Sequence, residues 1–472
     1  MVSVSGVRGR VGEAMTPELV TGLAARFGAF LQDYLRLGHD ARSEGGRGPA
    51  RERAQPGSAT VLLGRDSRTS GPMLARAATA GLMSVGCRVV DLGVVPTPTL
   101  LLAVEDAGAA GGLGVTASHN PAEWNALKFS GPEGMFLDAE RMAAFRAAFD
   151  DDPPRAAWNA LGTVSEDTDA VSRHIDCILA LPQIDVEGIR ARAFRVALDC
   201  VHGAGGRIMP RLLEALGCEV HAIGTEPDGL FPRDPEPTTA HLADLGELVC
   251  SSGAEIGFAV DPDVDRLALV DENGRAVGED LTLALAAAAV LEREPGTVVT
   301  NLSTSQVVED VVKDAGGDLV RAPVGEINVA RRMQDVEAVV GGEGNGGVIL
   351  PALHYTRDAP LGAALLLQHL LDHDAAFSAL VERWPTYRIV KEKVEFPREA
   401  LEQAYAALDE DLSPPQRDST DGLRMAWPAQ RVWLHVRPSG TEPVVRLIAE
   451  APAEKEARAL VDRARSILKG TI

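Results

Sequence analysis

Asp261, Asp263 and Asp265 stand at alternate positions in DPDVDRL, residues 261 to 267. Carboxylates so spaced can turn their oxygens toward one point, as a hard divalent cation requires. Crowded at a strand end they repel one another, and a bound cation offsets that charge. Mg²⁺ suits the set, because three carboxylates leave room for a phosphate oxygen. A calcium loop of the EF-hand type is a rival, with Glu272 at its twelfth position. Yet Arg266 fills the sixth, where that loop needs glycine, and LALV beyond it reads as strand. A surface carboxylate loop without a ligand is the plainer alternative.

Two further stretches carry polar groups in tight turns. In RPSGTEPVVRL (437–447), Ser439, Gly440 and Thr441 form a turn between two strands, flanked by Arg437 and Arg446. Turn amides, hydroxyls and a guanidinium together make a phosphate cradle, although an ordinary self-capped turn would look the same. In GGEGNGGVILP (341–351), the glycines match GxGxxG, but Pro351 and the apolar VIL stand where a dinucleotide site needs a helix start. Glu343 would also face a pyrophosphate with the wrong charge. Glu343 and Asn345 suit sugar hydroxyls better, with a purely structural glycine turn as the alternative.

TASHNP (116–121) sets Ser118 beside His119, with Lys128 downstream. GxSxG is absent, and adjacent residues of an extended turn point apart, which disfavours a Ser-His-Asp hydrolase. NPAEW suits a helix start at Pro121 with Asn120 as its cap, an assignment that leaves Ser118 unexplained.

These residues must be positioned by a long chain. At 472 residues it calls for about three or four domains, and 45% hydrophobic content with few aromatics means aliphatic and alanine-rich cores. Strand-like runs such as VLLG (61–64), FRVALDC (194–200), EIGFAVD (255–261) and TVVTNLS (297–303) alternate with helical segments, the pattern of βαβ units with mostly parallel sheets. Residues 38–58 and 413–422 read as exposed loops. After about residue 386 the pattern changes to a small α+β unit with strands RVWLHVRP and VVRLIAEA and a closing helix.

A net charge of −22 argues against nucleic-acid binding and fits either a GC-rich genome or a salt-rich cytoplasm. No apolar run reaches the roughly 18 residues of a membrane span, and MVSVSGVRGR lacks a signal core. Cys87, Cys177, Cys200, Cys218 and Cys250 are scattered, as expected of a reducing, cytoplasmic setting. Oligomeric state is not encoded in any visible pattern.

Taken in order, TASHNP, DPDVDR, GEGNGG and RPSGTEP resemble the catalytic serine, metal, sugar and phosphate loops of the α-D-phosphohexomutase family. SGVRG (5–9) and GRDSR (64–68) resemble its first-domain active-site segments. The likeness spans nearly the whole chain. It implies an α/β fold of four domains around a central cleft: three similar α/β domains with mixed sheets, then a C-terminal α+β domain. The expected boundaries are 1–165, 166–273, 274–385 and 386–472.

The resemblance also implies a mechanism: Ser118 carries a phosphoryl group to a hexose monophosphate, and a hexose 1,6-bisphosphate intermediate turns over and returns its other phosphate. Mg²⁺ would be held by Asp261, Asp263, Asp265 and an oxygen on Ser118. Arg8, His119, Lys128 and Arg266 would lie at the reacting centre, Lys128 as acid/base. Glu343 and Asn345 would bind the sugar; Arg437, Ser439, Gly440, Thr441 and Arg446 would bind the distal phosphate. Relatives with GEMSAH or GEQSGH have histidine where Gly347 stands here, and His354 is a candidate substitute. GEGNGG with HYTRDA resembles phosphoglucosamine mutases, so glucosamine phosphate is the expected substrate, ahead of mannose or glucose phosphates. A metal-dependent sugar phosphatase and a non-catalytic sugar-phosphate sensor are the competing functions.

Overall fold

The computed structural model describes residues 2–3, 6–36, 59–149, 152–439 and 444–471. The loop expected at 38–58 lies outside them. The chain forms two compact units, Met1–Gly278 with Gly347–Phe377, and Glu279–Gly346 with Ser378–Ile472.

The first unit contains two sheets. One runs in the order Val2–Ser3, Gly6–Arg10, Trp124–Ser130, Gly111–Val115, Thr60–Arg65, Arg88–Val94, Val164–Glu166. Its last four strands are parallel, as βαβ spacing predicts, while Gly6–Arg10 and Trp124–Ser130 are antiparallel to their neighbours. The sheet is therefore mixed, because TASHNP and the short turn after it reverse the chain without a crossover helix. The other sheet runs Leu267–Asp271, Ile256–Val260, Arg195–Asp199, Glu219–Ile223, and its first pair is antiparallel. Gly111–Val115, Ile256–Val260 and Leu267–Asp271 are buried along their whole length, which is why they read as continuous apolar runs.

The helix expected at Pro121 does not form. Residues 119–123 are a turn and Trp124–Ser130 is a strand, because the segment after the turn pairs on both sides, with Gly111–Val115 and with Gly6–Arg10.

In the second unit, Asp318–Ala322, Thr297–Asn301 and Val340–Glu343 form parallel strands. The C-terminal sheet is antiparallel throughout, in the order Arg388–Glu395, Val444–Ala451, Val432–Pro438, Leu423–Trp427, Gln416–Asp418. Gln416–Asp418 falls inside the stretch expected to be loop; its polar residues suit a short edge strand. Leu434, Val436, Val445 and Leu447 face Ala457, Val461 and Ala464 of the helix Glu454–Gly470. On the opposite face, buried Glu450 accepts hydrogen bonds from Ser305 Oγ, Gln306 N (2.9 Å) and Trp433 Nε1 (2.5 Å). This joins the sheet to the N-terminus of the helix Val307–Asp314. Among the described residues no helix is long and apolar enough to cross a membrane.

Candidate active site

Asp261, Asp263 and Asp265 are fully buried in the six-residue connection between Ile256–Val260 and Leu267–Asp271. A ligand atom from each lies within 4.8 Å of the others. The loop turns at Val264, whose φ of 65° is left-handed and unfavourable for a β-branched residue. Such strain persists only where the surroundings over-determine it. Here three successive carbonyls each accept an amide from the N-terminus of a different helix. Pro262 O accepts from Ala204 N (2.9 Å), Asp263 O from Thr97 N (2.9 Å) and Val264 O from Ala359 N (3.2 Å). These amides lead into the helices Gly205–Ala215, Thr97–Asp106 and Ala359–His373. Their positive ends therefore converge on the carboxylates and offset their repulsion.

The carboxylates are tied down one oxygen at a time. Asp263 Oδ2 accepts from Lys128 Nζ and Thr97 Oγ1, both at 2.7 Å, and Asp265 Oδ2 accepts from Arg357 Nη2 at 2.7 Å. Asp261 Oδ1 accepts the amides of Asp265 (3.1 Å) and Arg266 (3.2 Å). No described hydrogen bond reaches Oδ1 of Asp263 or of Asp265; Arg266 Nε lies 3.8 Å from the latter. Buried carboxylate oxygens without donors fit a hard cation. Burial and the neighbouring Asp265 and Asp263 charges push Asp261 well above the usual carboxylate range. Burial would raise Asp263 too, but Lys128 holds it below that range. Glu272 follows the strand Leu267–Asp271 and is not in this cluster, so the calcium-loop reading is excluded.

Ser118 reaches the same centre: its Oγ donates to Asp261 Oδ2 at 3.0 Å. Its φ is 49°, a second left-handed non-glycine residue. Fully buried Arg68 enforces that turn. Its Nη2 donates to the carbonyls of Ser118 and Asn120 (both 2.6 Å), and its Nη1 to those of Pro121 (2.7 Å) and Trp124 (3.1 Å). Asp66 steadies Arg68 through Nε (2.9 Å) and accepts Thr116 Oγ1 (2.7 Å), which in turn accepts Ser118 N (3.0 Å).

His119 differs from expectation. The left-handed turn brings its Nδ1 within 3.3 Å of Ser118 Oγ, where an extended turn would separate them. This pair is still no hydrolase dyad. Desolvation and then the Arg266 guanidinium hold His119 far below its usual pKa, which makes it a poor base. Its Nε2 stands 3.8 Å from Glu236 Oε1, and that oxygen already accepts Arg266 Nη1 at 2.7 Å. Arg8 lies opposite Ala126 in the strand pair, so it shares a sheet face with Lys128.

The remaining predicted residues belong to the second unit. Glu343 Oε1 accepts Asn301 Nδ2 (2.9 Å) and Gly325 N (3.0 Å), and Asn345 Oδ1 is buried with no hydrogen bond from any described residue. A Cβ at Gly344 would lie 2.0 Å from Asp280 Oδ1, so this glycine is demanded by close approach. A strand, Gly347–Ile349, and not a helix directly follows Gly346, which excludes the dinucleotide reading. Arg437 and Arg446 are directly opposed in the antiparallel pair, and Lys393 is opposed to Arg446 on its other side. Three basic residues thus form a row across one sheet face, an arrangement an anion relieves. Asp421 accepts Arg437 Nε at 2.9 Å, and Arg446 Nε is buried with no described hydrogen-bond partner. Ser439 is buried, and its carbonyl accepts Arg398 Nη2 (2.7 Å). Gly440 and Thr441 lie outside the described residues.

Arg68 was signalled in sequence only as part of GRDSR. Thr97, Glu236, Arg357, Lys393 and Asp421 were missed. Lys393 had a signal, its alternate position in RIVKEKVE, and Arg357 stands in HYTRDA; Thr97, Glu236 and Asp421 had none. His354, the candidate substitute at Gly347, is buried. Its Nε2 is 2.9 Å from Asp358 Oδ2, which also meets His174 Nε2 at 2.7 Å.

Comparison with known proteins extends this geometry. Residues 46–155, 172–274 and 278–387 match the phosphoglucomutase/phosphomannomutase alpha/beta/alpha domains I, II and III, and residues 392–467 match the C-terminal domain. A protein of Methanopyrus kandleri named a probable phosphoglucosamine mutase is 37% identical, with 98% of this chain and 97% of that protein covered. The chain belongs to the α-D-phosphohexomutase family. As a phosphohexomutase it is an isomerase. A Thermococcus kodakarensis protein named phosphoglucomutase/phosphomannomutase is also 37% identical, again over 98% of this chain and 97% of its own. Among solved structures, a phosphoglucomutase/phosphomannomutase family protein from Burkholderia thailandensis has a TM-score of 0.81 at 26% identity, covering 100% of this chain and 98% of that one.

Proposed function

We propose that this phosphohexomutase interconverts glucosamine 6-phosphate and glucosamine 1-phosphate in the cytoplasm, through phospho-Ser118 and a hexose 1,6-bisphosphate. The observation that carries the reading is Ser118 Oγ, held in a left-handed turn 3.0 Å from Asp261 Oδ2 beside two donor-free carboxylate oxygens. Asp261, Asp263 and Asp265 would hold Mg²⁺ together with an oxygen on Ser118. When bound, Mg²⁺ supplies charge neutralisation for the transferring phosphoryl group.

In the forward step a substrate hydroxyl oxygen forms a bond to phosphorus as the bond to Ser118 Oγ breaks. Lys128, in its neutral form, takes the hydroxyl proton. In the return step Ser118 Oγ regains a phosphoryl group from the other end of the bisphosphate, and the proton goes back to the new hydroxyl. Arg8, His119 and Arg266 surround the reacting atoms, with His119 neutral. Glu343 and Asn345 orient the sugar. Arg437, Ser439, Gly440, Thr441 and Arg446 grip the phosphate that is not moving. The four matched segments support domain boundaries near 165, 273 and 385. A small-molecule sugar phosphate is the expected partner.

Glucosamine is favoured by the GEGNGG and HYTRDA stretches and by the name given to the Methanopyrus relative. Mannose and glucose phosphates form the second reading, favoured by the equally similar Thermococcus relative. The test supplies glucosamine 6-phosphate with Mg²⁺ and a trace of its 1,6-bisphosphate. Glucosamine 1-phosphate should appear, and intact-mass analysis should find one phosphate on wild type and none on Ser118→Ala. Release of free phosphate without the 1-phosphate product would establish a phosphatase. Substrate binding without enzyme phosphorylation would establish a sensor. Parallel kinetics with the three sugars decide specificity.

A further inference from the structure

Gly347 opens the strand Gly347–Ile349, and its φ lies outside the left-handed region, so backbone conformation does not demand glycine. Space does. A Cβ there would lie 2.2 Å from Cδ, 2.8 Å from Cγ and 3.2 Å from Cβ of Arg357. Those are stem atoms of a buried side chain, not a movable tip. Arg357 therefore runs through the volume that a side chain at 347 would fill. At its far end, Nη2 donates to Asp265 Oδ2 at 2.7 Å.

We propose that Arg357 is a positioning residue of the carboxylate triad. By occupying Oδ2 it leaves Asp265 one oxygen for a cation, so the site favours small, octahedral Mg²⁺ over Ca²⁺; and Gly347 is glycine because Arg357 needs its space. The inference rests on the reading of Asp261, Asp263 and Asp265 as a divalent-cation site. Ca²⁺ accepts six to eight oxygens and readily takes a carboxylate through both, whereas Mg²⁺ demands six at short range. Lys128 and Thr97 impose the same restriction on Asp263 Oδ2. Arg357 does so with a planar fork whose direction is fixed by its packing against Gly347.

Removing the Arg357 charge would strengthen binding of both cations by Coulomb attraction, so the ratio of the two affinities isolates geometry. Titration calorimetry of the full chain with Mg²⁺ and with Ca²⁺ measures that ratio. In Arg357→Met the preference for Mg²⁺ should fall about tenfold or more, the usual effect of losing a partner of a metal ligand. Gly347→Ala should shift it in the same direction by displacing Arg357. The double variant should go no further than Arg357→Met, because both changes remove one interaction. Arg357→Lys keeps charge and stem and should fall between; it also tests the idea if Arg357→Met does not fold. An unchanged ratio in the folded Arg357 variants, or additive effects in the double variant, would overturn the inference. Wild type that binds neither cation would overturn the cation reading itself, and this inference with it.

Discussion

Around Asp261, Asp263 and Asp265, three like charges are buried and each carboxylate already has a protein partner on Oδ2. Arg437, Arg446 and Lys393 instead stand side by side across a sheet face, with Asp421 paired to Arg437. The first cluster is pre-arranged by neighbouring side chains and helix N-termini. The second is a row of like charges that an anion would relieve. A group in the first cluster should therefore matter to chemistry, and a group in the second to binding.

The largest test of that contrast is Asp261→Asn. Asparagine keeps an oxygen for the amides of Asp265 and Arg266 but removes the charge facing Ser118 Oγ, so kcat should fall by about 10³-fold or more with the fold intact. A KM effect alone would erase the distinction between the clusters. Next comes Arg437→Ala, which should raise KM by roughly 10- to 100-fold with little change in kcat, as expected from losing about 1.5–3 kcal/mol of charged hydrogen bonding. A loss confined to kcat would place Arg437 with the chemistry instead.

The smallest effect concerns buried carboxyls in the two units. Lys128 holds Asp263 low, whereas burial, only partly opposed by Lys391, pushes Asp280 beside Gly344 up to about 7. Between about pH 4 and 7 folded Asp280 keeps a proton that the unfolded chain has lost. Its contribution to stability therefore falls as pH rises through that window, by at most about 1.4 kcal/mol per pH unit. Asp280→Asn should flatten the corresponding part of the melting-temperature curve. An unaltered slope would show that Asp280 is not the group responsible.

Much of this was legible before any coordinates. Buried strands such as Ile256–Val260 announced themselves as apolar runs, and the alternate aspartates announced a carboxylate cluster. The Pro121 helix was a misreading because local capping signals lost to strand pairing by Trp124–Ser130. Leu423–Trp427 was not singled out because LRMAW is short and lacks the strict alternation that marks a strand with one solvated face. Ser118 and His119 were expected to diverge because nothing local reveals a left-handed serine.

The sequence by itself determined the residue types, their order, the family they mark and the apolar runs that build the sheets. All of these depend on neighbours along the chain. Tertiary structure alone decided that amides at Thr97, Ala204 and Ala359 meet three successive carbonyls of one loop. It also decided that Arg68 clamps the Ser118 turn and that Arg357 crosses Gly347 to reach Asp265. The physical reason is distance along the chain. A left-handed valine or serine is unstable alone and persists only where remote segments satisfy its backbone, and those partners carry no local signal of where they will meet.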